Sequence, residues 1–176
     1  SNSLAHVAQG IGGIQLPNLQ KLGLGNLGVV EGVAKTADPK AIVARMAEKS
    51  KGKDTTTGHW ELAGLVTETP FQLYPNGFSK ELLDSFIKEA KVPGVLGNRA
   101  ASGTQIIEEL GEEHLHTGKP IVYTSGDSVF QIAAHEEQFD LDHLYKVCEV
   151  ARKLTLPYQI GRVIARPFIG KAKATF

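Results

Sequence analysis

From about residue 65 onward, short apolar runs alternate with segments of helical periodicity, and that alternation restricts this part of the chain to an α/β unit with its own core. Ser79 to Lys91 (SKELLDSFIKEAK) spaces Leu82, Leu83, Phe86, Ile87 and Ala90 along one helical face behind a serine in N-cap position. Ser102-Gly103-Thr104-Gln105 fits the capping box S-x-x-Q and predicts a second helix through Ile106, Ile107 and Leu110 that stops at Thr117-Gly118. Asp140 caps a third, with Leu144, Val147, Cys148, Ala151 and Leu154 on its apolar side. Between them Pro120 to Thr124 (PIVYT) reads as a buried strand and Val163 to Phe168 (VIARPF) as another, Pro167 marking an end or an edge.

The first fifty residues have a different texture. They are glycine-rich, allow short helices at Leu4 to Gln9 and Asn18 to Leu24, and contain no run before residue 60 that could be a central strand. Gly23-Leu24-Gly25-Asn26-Leu27-Gly28 spells the dinucleotide fingerprint G-x-G-x-x-G, but that motif carries meaning only between a strand and a helix. Leu19 to Leu22 looks helical, so these glycines are read as a helix end and a loop.

Composition matters mainly for what it removes. Nineteen basic against nineteen acidic residues leave no net charge, which argues against a nucleic-acid partner. No apolar run reaches the length of a membrane span, and the first residues lack a signal peptide's basic and apolar regions, so the expectation is a cytoplasmic protein with no membrane partner. The single cysteine, Cys148, rules out an intrachain disulfide and a thiolate zinc cage.

Two groups of polar residues invite a chemical reading. His114 and His116, two apart on a helix, point about 200° from one another and cannot chelate together, so they are expected at the surface. His135 is expected to be a buried histidine satisfied by a neighbouring carboxylate, with metal ligation as the alternative. The most unusual stretch is Lys53-Asp54-Thr55-Thr56-Thr57-Gly58-His59-Trp60-Glu61, where Thr55 or Thr56 falls at a helix start. A hydroxyl there meets free N–H groups and the positive end of the dipole, which suits either plain capping or a phosphorylated nucleophile.

Taken together, LPNL (16 to 19), LGLGN (22 to 26), KDTTTGHWE (53 to 61), ASGTQIIEELGEEH (101 to 114), GKPIVYTSGDSVFQIAAHEE (118 to 137) and GRVIARPFIG (161 to 170) resemble the phosphopentomutases of the alkaline phosphatase superfamily. The blocks stand in the expected order and cover nearly the whole chain. The resemblance implies an isomerase that interconverts ribose or deoxyribose 1-phosphate with the 5-phosphate through a phosphothreonine. It also implies two manganese ions (Mn2+) and a ribose 1,5-bisphosphate or glucose 1,6-bisphosphate primer. The threonine after the Lys-Asp pair, Thr55, would carry the phosphoryl group, and a cap domain would bind the sugar phosphate through Ser125, Asp127, Val129, Arg162 and Ile164.

By the same resemblance the fold is α/β, a small α/β cap domain with a truncated part of an alkaline-phosphatase-like core. Residues 1–68 would be the core segment carrying the threonine and residues 69–176 the cap. The family's metal-binding Asp and His residues, including an Asp-His-Gly motif, find no match, so no metal ligand is assigned. The chain is expected to be an internal fragment, inactive alone, whose partners are pentose phosphates and the rest of the catalytic core. An isolated sugar-phosphate-binding cap, and a related phosphoglycerate mutase or phosphatase, are the competing readings. Arg99-Ala100 stands where the family commonly has Lys-Pro, and Gly126 where it has Ala.

Overall fold

The computed structural model describes residues 2–170 and residue 175. The chain divides into two compact units, Ser1–Glu48 and Lys49–Phe176. In the first, helices α1 (Ser3–Gly10), α2 (Pro17–Leu22) and α3 (Leu24–Leu27) surround a small core of Ala8, Val30 and Val33. Its extended backbone amounts to an isolated bridge between Val30 and Val33. Gly23 ends α2 in the left-handed conformation at φ 101°, so the G-x-G-x-x-G run follows a helix and the dinucleotide motif is absent in structural terms.

The second unit opens with α4 (Thr55–Leu62) and α5 (Lys80–Ala90), followed by β1 (Leu96–Ala100), α6 (Gly103–Thr117), β2 (Ile121–Thr124), β3 (Val129–His135), α7 (Leu141–Thr155) and β4 (Arg162–Phe168). The four strands form one sheet in the order β1-β2-β3-β4. β1 and β2 are parallel, β2 and β3 antiparallel, and β3 and β4 parallel. The unit is therefore two βαβ crossovers joined by the four-residue turn Ser125 to Ser128.

Both crossovers step the same way across the sheet, but the strand direction reverses at the turn. Right-handed connections then require α6 and α7 on opposite faces. The cores agree. Ile106 of α6 packs with Leu96, Ile121, Tyr123, Ala133 and Phe168 on one face. On the other, α5 and α7 bring Leu82, Phe86, Leu144, Val147 and Ala151 against Val122, Phe130, Ile132 and Ala134. Phe130 is the centre of that layer, 4.5 Å from Phe78 and 5.4 Å from Phe86 between ring centroids.

The expected helices form where their caps are. Ser79 accepts from the Leu82 N–H and Asp140 from the His143 N–H, while Gly118 closes α6 at φ 67°. Ser102 occupies the N-cap position of α6 without making the cap bond, its hydroxyl facing Thr104 Oγ1 at 3.1 Å instead. No described helix is long and apolar enough to cross a membrane.

Candidate functional site

The segment from Lys49 to Glu68 is organised by α4. Asp54 is the N-cap: Oδ1 accepts from the Thr57 N–H at 2.9 Å and Oδ2 from the Thr57 hydroxyl at 2.7 Å. Farther along α4, Glu61 accepts from the backbone N–H groups of Lys49 and Ser50 at 2.7 and 2.8 Å. Hydrogen bonding from the Ser50 side chain, then from these backbone groups, holds its carboxyl below the usual value. Because Asp54 does the capping, Thr55 is left as the first helical residue with its hydroxyl free for another partner. That partner is Asp127, whose Oδ2 accepts from Thr55 Oγ1 at 2.7 Å.

Asp127 lies in the turn between β2 and β3. Ser128 fastens this turn from below, its buried hydroxyl donating to Gln72 O at 2.6 Å and its carbonyl accepting from the Gly161 N–H at 3.0 Å. The second bond also starts β4 beside the turn, and Arg162, the first residue of β4, places Nη2 3.4 Å from the same Asp127 Oδ2. Both side chains are about one third exposed, so the pair organises the site more than it stabilises the fold. Arg162 Nε is buried with no hydrogen-bond partner.

The other sequence-selected residues lie around this cluster. Val129 is buried and in register with Arg162, and Ile164, two residues along the same face of β4, is in register with Gln131. Ser125 is half-buried two positions before Asp127. Thr55, Asp127 and Arg162 are thus directly linked, with Ser125, Val129 and Ile164 adjacent. On the α7 side of β4, Gly161 to Val163 line an open groove of about 430 Å³ with Tyr145, Cys148, Glu149 and Arg152. Burial pushes the Cys148 thiol up to about 11, so it is protonated at neutral pH and offers no thiolate nucleophile.

The histidines depart from expectation in one respect. His116 is exposed, but His114 is fully buried rather than at the surface. Its Nε2 accepts from the His135 N–H at 2.8 Å, which puts its ring proton on Nδ1, facing Lys119 O at 2.7 Å. Two backbone groups thus satisfy the ring, and burial lowers its pKa. His135 is buried as expected, its ring facing Gly170 O at 2.7 Å and its Nδ1 accepting from the Glu137 N–H at 3.1 Å. Among the described residues no three His, Cys, Asp or Glu side chains converge as a metal site. One hydroxyl and one carboxylate, as at Thr55 and Asp127, do not make a manganese centre by themselves.

The fold and the linked residues define a small mixed α/β unit that holds a threonine hydroxyl against an acid and an arginine at one end of its sheet. No protein-family profile matches the chain. Curated relatives do: the phosphopentomutases of Symbiobacterium thermophilum, 55% identical over the whole chain, of Anaeromyxobacter sp. (strain Fw109-5), 56% over 97% of it, and of Syntrophotalea carbinolica, 57% over all of it. The sequence is similar to these phosphopentomutases along its whole length, and it spans a little under half the length of these relatives, 44 to 45%.

Proposed function

We propose that the protein containing this sequence is a phosphopentomutase, moving a phosphoryl group between the 1- and 5-oxygens of ribose or deoxyribose through a phosphate carried on Thr55. The observation that carries the reading is the Thr55–Asp127–Arg162 linkage. A hydroxyl at the first position of α4 sits beside unbonded N–H groups and the positive end of the helix, where an acquired phosphate is favoured. Asp127 reaches that hydroxyl before phosphorylation and can accept from a sugar hydroxyl afterwards. Arg162 supplies a planar donor fork for the phosphate that is not being transferred. Ser125 adds a hydroxyl, and Val129 and Ile164 an apolar wall for the sugar ring.

In this reading residues 1–68 belong to the catalytic core and residues 69–176 to the substrate-binding cap. A bisphosphate primer loads Thr55, and two manganese ions belong to the complete enzyme, their ligands mostly outside this sequence. The cytoplasm, where phosphorylated sugars are retained, is its place of work. A threonine alcohol is a poor nucleophile without activation, so the 176-residue chain alone is expected to bind sugar phosphate without turning it over. Sustained conversion of ribose 5-phosphate by the purified chain, with manganese and primer and after a host-enzyme control, would overturn that.

The direct test is the full-length protein primed with glucose 1,6-bisphosphate and mapped by mass spectrometry. Phosphate is expected on Thr55, and Thr55→Val should abolish both labelling and turnover. Label on Thr56 or Thr57, or an active Thr55→Val enzyme, defeats the assignment.

A further inference from the structure

The segment around α4 closes on itself before it meets the sheet. Glu61 is bonded to the backbone of Lys49 and Ser50, and the chain leaving α4 returns to the same place. There the Thr67 N–H donates to Ser50 Oγ at 3.0 Å and the Lys51 N–H to Thr67 O at 2.9 Å. Residues 63–66, in between, are exposed. These bonds shape a local module but do not fasten it to the strands. Side-chain contacts reach across at both ends of α4. Thr55 meets Asp127 at its start, and near its end the Trp60 ring meets Phe71 in a T-shaped contact with centroids 5.7 Å apart.

Phe71 is itself built into the end of the sheet that carries the site. The next residue, Gln72, donates its N–H to Gln159 O at 3.1 Å and accepts the Ser128 hydroxyl at 2.6 Å. The Phe71 ring lies so near Gly161 that a Cβ there would stand 3.1 Å from Phe71 Cδ2 and 3.1 Å from the Ser128 carbonyl oxygen, a close approach that favours glycine. Ser128 follows Asp127 and Gly161 precedes Arg162, so Phe71 rests on the immediate neighbours of the acid and of the arginine.

We propose that Trp60 and Phe71 are positioning residues, an aromatic clasp that sets the angle of α4 and so keeps the Thr55 hydroxyl on Asp127, the carboxylate it shares with Arg162. The catalytic meaning of the clasp rests on the mutase reading, in which it spans the boundary between core and cap. Trp60 lies five residues beyond Thr55, about 7.5 Å along the helix axis. Without a hold at the Trp60 end, a tilt of about 10° displaces one end of α4 against the other by about 1.3 Å. Misplacement of reacting groups on the order of 1 Å costs about a hundredfold in rate. The Thr55–Asp127 bond cannot prevent such a tilt alone, because water competes for an exposed hydroxyl. A ring contact faces no such competition, and its edge-to-face geometry fixes direction as well as distance.

Trp60 is the single tryptophan of the chain, so its emission reads the clasp directly. In the 176-residue chain, Phe71→Ala should move that emission to longer wavelength. The NMR cross-peak between Thr55 and Asp127 side-chain protons should be lost in Phe71→Ala and in Trp60→Ala, and kept in Trp60→Phe, which retains a ring for the contact. Trp60 is 41% exposed, so the amide shifts of β3 should stay as in wild type throughout. In the full-length enzyme, with rates normalised to folded protein, Trp60→Ala should lower kcat roughly ten- to a hundredfold at a KM within about threefold. Trp60→Phe should recover to within about threefold of wild type, and Trp60→Ala combined with Phe71→Ala should cost no more than either alone. A cross-peak that persists in Trp60→Ala, loss of the β3 shifts together with it, or kcat within about twofold of wild type while Thr55→Val is inactive each overturns the clasp. An active Thr55→Val enzyme would defeat the mutase reading of Thr55 separately. Loss of the cross-peak in Trp60→Ala and its retention in Trp60→Phe would then still uphold the clasp as what positions that hydroxyl.

Discussion

Arg162 approaches Asp127 with one nitrogen while its Nε is buried and unpartnered, so the guanidinium reaches the site with donor capacity unused. A hydrogen bond to a charged partner contributes about 1.5 to 3 kcal/mol, and Arg162→Ala in the full-length enzyme should therefore lower kcat/KM roughly ten- to a hundredfold. Arg162→Lys keeps the charge but loses the fork and should fall between the two. Steady-state kinetics at matched stability checks this, and both variants within twofold of wild type would remove Arg162 from the site. At this scale Asp127 and Arg162 were visible in the sequence only through the family resemblance. The residues alone left Thr55 open between cap and nucleophile, because which threonine caps depends on Asp54 taking that role first. The tyrosine inside PIVYT reads as core, and the structure buries it there.

Among the elements, α5, α6 and α7 were legible because an amphipathic period of 3.6 and a polar cap act locally. Two strands were not. β1 reads LGNRA, with Gly97 at φ 87°, Asn98 at φ 49° and a break in register between Gly97 and Arg99. The Asn98 side chain explains the bulge, since its amide donates to Phe78 O and its oxygen accepts from the Phe78 N–H, tying β1 to the start of α5. β3 reads VFQIAAH and is buried throughout, yet includes Gln131, whose Oε1 accepts from Arg166 Nε, and His135, whose ring faces Gly170 O. Alternation cannot betray a strand covered on both faces. Local signals do make α4 testable. Asp54→Ala removes the acceptor for both the N–H and the hydroxyl of the fully buried Thr57, and should cost about 1 to 2 kcal/mol. Asp54→Asn should retain most of that. Denaturation, together with faster hydrogen exchange at the Thr57 amide in the alanine variant alone, checks it; unchanged exchange in Asp54→Ala would show that the cap is not what holds the threonines.

Across the sheet-forming unit the two ends of the sheet have different work. The turn carrying Asp127 and the start of β4 lie at one end, whereas β3 runs away from them to finish at His135, where the last turn of α6 brings His114. His114 is enclosed by Phe139 and Phe168, with ring centroids 5.8 and 5.6 Å away, and its Nε2 accepts from a backbone N–H. A proton on Nε2 would break that bond and bury a charge, which is why burial lowers its pKa, with the neighbouring His135 adding in the same direction. The sign for folding follows. Below the ordinary histidine value of about 6.5, the unfolded chain binds a proton that the folded chain refuses, so stability is lost as pH falls through 6.5 toward the lower folded value. Above that window the contribution is constant. Urea denaturation at pH 7.5, 6.5 and 5.5 should show wild type losing stability more steeply than His114→Gln, which cannot titrate. Subtracting the two curves cancels the carboxylates common to both. A difference that stays flat from pH 7.5 to 5.5 would refute the assignment. Since this ring is at the far end of β3 from Asp127, the loss belongs to folding: where wild type remains folded, His114→Gln should leave phosphate binding unchanged across the same window.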